Sequence, residues 1–285
     1  MHDAIRAMIE KRNPRDSADW DRALREVLQE AALAGLWRRG FFDKAAFYGG
    51  TALRLFHGLD RFSEDLDFTL LAPERDWRLA ERLSGLREEI EAFGFVVEID
   101  PKHEGRIDSA FIKANTKIHL LAITAPEPVV GVAAANRLVR VKLEVDTDPP
   151  AGIASERRIL LEPFPVSVRV VTPPCLFAGK LHACIGRSWK TRVKGRDWYD
   201  LLFFAARGVV PDLDHLEARL RQSGHWADGL RLGAEAVRGL LLERVASVDW
   251  RQAVEDVLPF VRDPRSVELW NADLFRTVVD RIRWA

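Results

Sequence analysis

The spacing of hydrophobic residues along the chain predicts a mixture of β strands and helices up to about residue 173, and helices almost exclusively after it. Before this point, short apolar or alternating runs predict β strands, and apolar residues spaced three and four apart predict helices. The predicted strands are Ala46–Tyr48, Leu66–Leu71, Phe95–Ile99, Ser109–Ala114, Lys117–Thr124, Arg137–Asp146 and Val166–Val171. The predicted helices of this part are one that is capped by Ser17 or Asp16 and runs to about Arg39, the segment after Gly49-Gly50, and Arg75–Phe93.

After the proline pair at residues 173 and 174, the pattern is almost purely helical. The predicted helices there are Pro174–Gly186, Gly195–Arg207, Asp212–Gln222, Ala227–Val245, Trp250–Val261 and Ser266–Arg281. We therefore expect an α+β protein, with an α/β domain and its N-terminal helix at residues 1–172 and a helical domain at residues 173–285.

Composition narrows the class of protein without identifying it. The 285 residues include 43 basic and 43 acidic side chains, so any nucleic-acid surface must be a local patch rather than a global field. Cys175 and Cys184 are too few for a disulfide framework or a cysteine zinc site. No apolar run reaches membrane-spanning length and no signal-peptide pattern is present, so we expect a cytoplasmic protein without membrane association.

The stretch from Gly49 to Asp67 combines a glycine turn with a pair of aspartates. Gly49, Gly50 and Thr51 stand between an apolar strand and a helix, where free backbone N–H groups favour a phosphate. Asp65 and Asp67 lie two apart on a predicted strand and should project from the same face. Because neighbouring carboxylates repel, a magnesium ion that joins them to a nucleotide phosphate would explain both features.

A third carboxylate is expected on the strand that ends at Asp146. Glu144 lies between Leu143 and Val145 and is the first candidate, and Asp146 on the same face is the reserve. Such a group completes a metal site and accepts the proton of a nucleophile. Taken alone, the charged face of this strand would be read as ordinary solvated surface.

Basic residues are concentrated from Arg187 to Arg196, with five in ten positions and no acid. Such a run favours phosphate, either of a nucleotide or of RNA, and otherwise forms a solvated loop. Lys180 lies just upstream within an apolar helical run, where a lysine usually extends its ammonium to solvent. Ser63, two residues before Asp65, could contact a phosphate or be phosphorylated, which would hinder metal and nucleotide binding.

Together these motifs resemble known enzymes. The pattern G-[GS]-x(n)-D-x-D is similar to the first motif of polymerase-β-like nucleotidyltransferases. The longer strings GGTALRL…RFSEDLDF and KLHA…RDWYDL resemble the AbiEii/MenT family, the nucleotidyltransferase toxins of type IV toxin–antitoxin systems. The resemblance implies an N-terminal polymerase-β-like domain and a helical domain that contributes Lys180 and Asp197 to the active site.

The resemblance also implies a reaction and its partners. Asp65, Asp67 and Glu144 are expected to hold Mg²⁺ or Mn²⁺, while the glycine turn, Ser63 and Lys180 bind a nucleoside triphosphate. Asp197 is expected to orient Lys180, to position the metal site or to bind the nucleotide. The acceptor implied is the 3′ end of tRNA, with growth arrest as the outcome, and the implied protein partner is a separate antitoxin of the AbiEi/MenA kind.

Two alternatives remain open at this stage. The same fold could transfer a nucleotide to a small molecule, as aminoglycoside nucleotidyltransferases do, although the basic run from Arg187 to Arg196 favours a polyanionic acceptor. The chain could also be a non-catalytic module that binds only a nucleotide or a protein. Arg196 and Asp200 could either support the active site or form a structural pair, of which we prefer the second, and Trp198 and Tyr199 are interpreted as packing residues.

Overall fold

The computed structural model describes residues 2–74, 76–104, 107–114, 139–187 and 193–284. The predicted strand Lys117–Thr124 therefore lies outside the described residues. The chain forms two compact units. The first comprises Met1–His57, Ser63–Pro149 and Glu156–Val170, and the second comprises Gly58–Phe62, Pro150–Ser155 and Val171–Ala285. The boundary predicted at residues 172 and 173 stays a prediction.

A seven-stranded mixed sheet organises the first unit, in the order β3-β4-β5-β2-β1-β7-β6. Its inner pairs β1–β7 and β2–β5 are parallel, while β1–β2, β3–β4 and β4–β5 are antiparallel. The predicted α+β class with a mixed sheet is confirmed. The strands are β1 Ala45–Tyr48, β2 Leu66–Leu70, β3 Val97–Glu104, β4 Ile107–Ala114, β5 Val139–Asp146, β6 Ser155–Leu160 and β7 Val166–Val171.

Within the described residues, four α helices accompany the sheet, namely α1 His2–Glu10, α2 Ser17–Arg38, α3 Gly49–His57 and α4 Leu83–Ala92. The start of α2 is fixed by Asp16, whose side chain accepts a hydrogen bond from the Asp19 amide. The apolar face of β5, formed by Val139, Val141, Leu143 and Val145, is buried in the core. Its opposite face is therefore available for charged residues, as the alternation predicts.

In the part of the second unit that the structure describes, six α helices predominate. They are α5 Pro173–Gly186, α6 Gly195–Ala206, α7 Leu213–Gln222, α8 Ala234–Ser247, α9 Trp250–Val257 and α10 Ala272–Asp280. Their core contains Trp198, which lies edge-on to Trp250 and Phe275, so its predicted packing role is confirmed. None of the described helices combines the length and the apolar character needed to cross a bilayer.

Several predicted bounds were wrong. The helix predicted at Arg75–Phe93 becomes regular only at Leu83, after a 3₁₀ turn, because Arg78 has an extended backbone. The helix predicted from Ala227 begins at Ala234, and the one predicted from Ser266 begins at Ala272. Strand β6 was missed, because its sequence SERRIL contains three consecutive charged residues and does not alternate between apolar and polar positions.

Candidate active site

The turn between β1 and α3 brings Gly49 against Asp67. Gly49 has a φ of +80°, a backbone angle that residues other than glycine rarely adopt. A Cβ at this position would overlap the Asp67 carboxylate. Because β1 is paired with β2, Tyr48 lies opposite Asp67 and the next residue must pass that carboxylate closely. The glycine turn and the aspartate pair are therefore parts of one local structure.

Thr51 connects the start of α3 to the start of β2. Its side-chain hydroxyl donates a hydrogen bond to the backbone carbonyl of Asp65 at 2.5 Å, and its side chain is buried. This contact holds the chain where Asp65 enters the strand. The predicted contact of Thr51 with a nucleotide stays a prediction, as does that of Gly50, which is also buried at the start of α3.

The register between β2 and β5 brings two of the predicted metal ligands together. Asp67 is the direct neighbour of Glu144 in this parallel pair, and both side chains are only partly buried. Asp146 instead lies opposite Thr69, and its carboxylate accepts the amide of Asp148 at 3.1 Å. Strand register therefore favours Glu144 over Asp146 as the third carboxylate.

A lysine lies on the same face of β5, two residues before Glu144. The Lys142 ammonium is 2.6 Å from Glu144 Oε1. Burial alone would lower the pKa of Lys142, but the hydrogen bond and charge of Glu144, followed by the charges of Asp65 and Asp67, raise it above its ordinary value. We call Asp65, Asp67 and Glu144, with Lys142, the carboxylate face.

The carboxylate face has the chemistry of a site for a hard divalent cation. Its donors are carboxylate oxygens, which Mg²⁺ and Mn²⁺ prefer, and it already attracts the Lys142 ammonium. Among the described residues, no group of three acidic, histidine or cysteine side chains is drawn together closely enough to ligate an ion.

Ser63 lies outside the carboxylate face. It is buried, and its backbone carbonyl accepts a hydrogen bond from the buried Gln29 side chain at 3.2 Å. Phosphorylation of Ser63 would require this segment to open, because a kinase must reach the hydroxyl. Its predicted contact with a nucleotide stays a prediction.

In the second unit, Lys180 belongs to a buried ion cluster. Its ammonium is 2.8 Å from Asp200 Oδ2, and Arg61 donates two hydrogen bonds of 2.6 Å to the two oxygens of the same carboxylate. We call these three residues the Asp200 cluster. Burial alone would raise the pKa of Asp200, but the charges of Arg61 and Lys180 hold it below its ordinary value, so the carboxylate is ionised.

Asp197 takes part in a separate ion pair. Its buried carboxylate is 2.7 Å from Arg187 Nη1. Arg196 is not paired with Asp200, contrary to our interpretation of the sequence. It stacks over Phe260 at 4.2 Å and approaches Asp256 at 3.9 Å. The middle of the basic run, residues 188–192, lies outside the described residues.

Three residues of these clusters were not singled out from the sequence as site residues. Lys142 was assigned to a charged face and Asp200 to a structural pair, while Arg61 entered only as the first residue of the RFSEDLDF string, without a role of its own. Arg61 and Asp200 are 139 residues apart in the chain, so no local pattern could join them. Only the alternation of β5 could have associated Lys142 with Glu144.

The fold is similar to that of a solved nucleotidyltransferase. MenT4, a nucleotidyltransferase toxin from Mycobacterium tuberculosis H37Rv, is 19% identical, with a TM-score of 0.55 over 97% of this chain and 88% of that one. JHP933 from Helicobacter pylori is also 19% identical, with a TM-score of 0.48 over 89% of this chain and 88% of that one. No curated protein matches.

The family model described as the AbiEii nucleotidyl transferase toxin of type IV toxin–antitoxin systems matches residues 31–281. The chain belongs to this family. This match confirms the predicted enzyme class and the resemblance that the motifs indicated. The likeness to MenT4 supports the predicted fold. The match spans both compact units rather than the sheet alone.

Proposed function

We propose that the protein transfers a nucleoside monophosphate from a nucleoside triphosphate to the 3′ end of tRNA and thereby stops growth. The observation that carries this proposal is the register that makes Asp67 the neighbour of Glu144, with Gly49 packed against Asp67. The family supplies the reaction class and the toxin role. The acceptor rests on the resemblance and on the basic residues between Arg187 and Arg196.

The carboxylate face would hold the divalent cation. Asp65, Asp67 and Glu144 would be its ligands, with Lys142 leaving Glu144 when the ion arrives. The chemistry supplied by a bound Mg²⁺ or Mn²⁺ would be neutralisation of these carboxylates and polarisation of the attacked phosphate. One carboxylate of the face would accept the proton of the acceptor hydroxyl.

The phosphates of the nucleotide would be bound by backbone and lysine donors. The free amides at the start of α3 would donate to phosphate oxygens, as helix N-termini do, and Gly49 would allow their close approach. Lys180 would donate to the triphosphate as a point charge. The acceptor oxygen then bonds to the α-phosphorus, the bond from that phosphorus to the bridging oxygen breaks, and pyrophosphate leaves.

A separate antitoxin protein would neutralise the enzyme in the cytoplasm. The family description names type IV toxin–antitoxin systems, and membership in this family implies an antitoxin partner. We expect a regulator-like reading frame immediately upstream of the gene. Co-expression of the protein that this upstream frame encodes should restore growth. Growth arrest that the upstream product leaves unchanged would contradict this assignment of the partner.

Labelled nucleotides test the acceptor directly. Each of the four α-³²P-labelled nucleoside triphosphates is incubated with the protein, with Mg²⁺ or Mn²⁺, and with total tRNA or a panel of aminoglycosides. We expect label on tRNA, lost when the 3′ terminal hydroxyls are removed by periodate oxidation. Label on an aminoglycoside instead would establish the small-molecule alternative. Label on neither, with growth arrest retained by Asp67→Asn, would establish a non-catalytic module.

A further inference from the structure

Lys180 has a more specific anchor than the one that the family motif suggests. The motif joins Lys180 with Asp197, yet Asp197 is paired with Arg187, and Lys180 contacts Asp200 at 2.8 Å. Asp200 has no exposed side-chain surface, whereas 16% of the Lys180 side chain is exposed. Asp200 is therefore fully buried within the cluster, while Lys180 extends towards solvent.

The geometry of Asp200 is fixed by Arg61. The guanidinium makes two parallel hydrogen bonds of 2.6 Å to the carboxylate, and its third contact is to the backbone carbonyl of Phe62 at 2.9 Å. A planar guanidinium fork holds a carboxylate in a single orientation. Because Arg61 is itself only 3% exposed, neither partner can turn away to water.

A lysine needs such an anchor to bind phosphate at a defined place. Its side chain is flexible, loses rotamer entropy when it is held in place, and ends in a charge without preferred direction. An ammonium has three N–H donors, so a Lys180 that donates to Asp200 can also donate to phosphate oxygens. Fixing the lysine before the nucleotide binds removes part of the ordering cost of binding.

We propose that Asp200, held by Arg61, is the positioning residue that presents the Lys180 ammonium to the nucleotide phosphates. This inference rests on the proposed phosphate contact of Lys180. Asp200 acts through Lys180 and touches no substrate atom. Asp200→Asn and Lys180→Met should therefore weaken binding of the same ligand, and their effects should not add.

A double-mutant cycle tests this positioning role. Binding of ATP, GTP, CTP and UTP with Mn²⁺ is measured by calorimetry for the wild type, Lys180→Met, Asp200→Asn and the double variant. For the nucleotide that binds, we expect Lys180→Met to weaken affinity by about 10- to 100-fold, the range of a hydrogen bond to a charged group. Asp200→Asn should weaken it by about tenfold, and the double variant should match Lys180→Met within about twofold.

Asp256→Asn is the matched control, because Asp256 is another buried carboxylate of the second unit. It should leave nucleotide affinity at the wild-type level. If Asp200→Asn does not fold, as judged by its melting curve, Arg61→Lys takes its place, since it keeps the charge but removes the fork. Arg61→Lys should also weaken affinity, and its effect should disappear in the Lys180→Met background.

The possible outcomes separate the inference from the proposed function. Unchanged affinity in Lys180→Met would remove the proposed phosphate contact itself. A second outcome is that Lys180→Met weakens affinity while folded Asp200→Asn, or Arg61→Lys in its place, keeps the wild-type affinity. This outcome would overturn only the positioning role. Effects that add fully in the double variant would overturn it too, because a general disturbance of the unit does not act through Lys180.

Discussion

The carboxylate face and the Asp200 cluster use the same side-chain chemistry in different surroundings. On the carboxylate face, Lys142 and Glu144 are 35% and 30% exposed, and acids outnumber the base. In the Asp200 cluster, Asp200 and Arg61 are 0% and 3% exposed, and bases outnumber the acid. A partly solvated group of like charges can exchange its cation at low cost, whereas a buried ion pair loses stability when one member is removed.

This contrast predicts that changes on the carboxylate face affect chemistry without loss of stability, and that changes in the Asp200 cluster affect folding as well as nucleotide binding. The largest effect is expected for Asp67→Asn. It should lower nucleotidyl transfer by about 10²–10⁴-fold, the range that a catalytic carboxylate contributes, without lowering the melting temperature, since one of several repelling charges is removed. Initial rates with labelled nucleotide and circular-dichroism melting measure the two effects.

Asp146→Asn is the matched control for Asp67→Asn, because it removes a carboxylate from β5 that faces Thr69 rather than Asp67. We expect its transfer rate to stay within a few-fold of wild type. A rate as low as that of Asp67→Asn would show that Asp146, the reserve candidate, is the third carboxylate of the site.

The converse effect is expected for Arg61→Met. Removing this guanidinium leaves the buried Asp200 with only Lys180 as a compensating charge, and loss of one partner of a buried pair costs about 3–5 kcal/mol. Urea denaturation should show this as a lower free energy of unfolding. Arg238→Met in the same unit, which breaks an exposed pair with Asp280, should cost about 0–1 kcal/mol. Equal losses in the two variants would contradict the contrast.

Gly49→Ala should show both effects, because Gly49 belongs to the turn and contacts the carboxylate face. The positive φ and the overlap of a Cβ with Asp67 should reduce stability by about 1–3 kcal/mol. Displacement of the Asp67 carboxylate should also weaken binding of Mn²⁺. Gly152→Ala is a suitable control, since it shares a positive φ of +83° but a Cβ there meets no neighbour. Wild-type Mn²⁺ binding by Gly49→Ala would separate the glycine turn from the metal site.

The smallest effect is expected for Lys142→Met. Without the ammonium, a divalent cation no longer competes with an ion pair, so Mn²⁺ affinity in the absence of nucleotide should rise by about tenfold, or about 1.4 kcal/mol. Calorimetric titration with Mn²⁺ measures this. Arg140 is an exposed cation on the same face of β5, and Arg140→Met should change the Mn²⁺ affinity little. Weaker Mn²⁺ binding by Lys142→Met would contradict the exchange of cations.

Much of the fold could be predicted from periodicity. The predicted strand Val166–Val171 has its observed bounds, and α2 ends within one residue of the prediction, because alternation and capping are local properties. Strand β6 could not be found this way. As the last strand in the sheet order it carries exposed charges, and its pairing depends on its neighbour rather than on its own pattern.

The site could be predicted only in part for the same reason. The spacing of Asp65 and Asp67 and the glycine turn are local, so the sequence indicated them. The partners of Lys180 and Asp197 are not local, since salt bridges form between whichever charges packing brings together. Arg187 and Asp200 were therefore not identified as those partners before the fold was known.

Sequence alone determined the kinds of groups and their order along each element. The alternation of β5 put Lys142, Glu144 and Asp146 on one face, because successive strand residues point to opposite sides. Tertiary structure decided which of them is the neighbour of Asp67, because strand register depends on the pairing of two distant segments. It also decided that Asp200 holds Lys180 and Arg61, because burial leaves a charge no partner except those that the fold brings within reach.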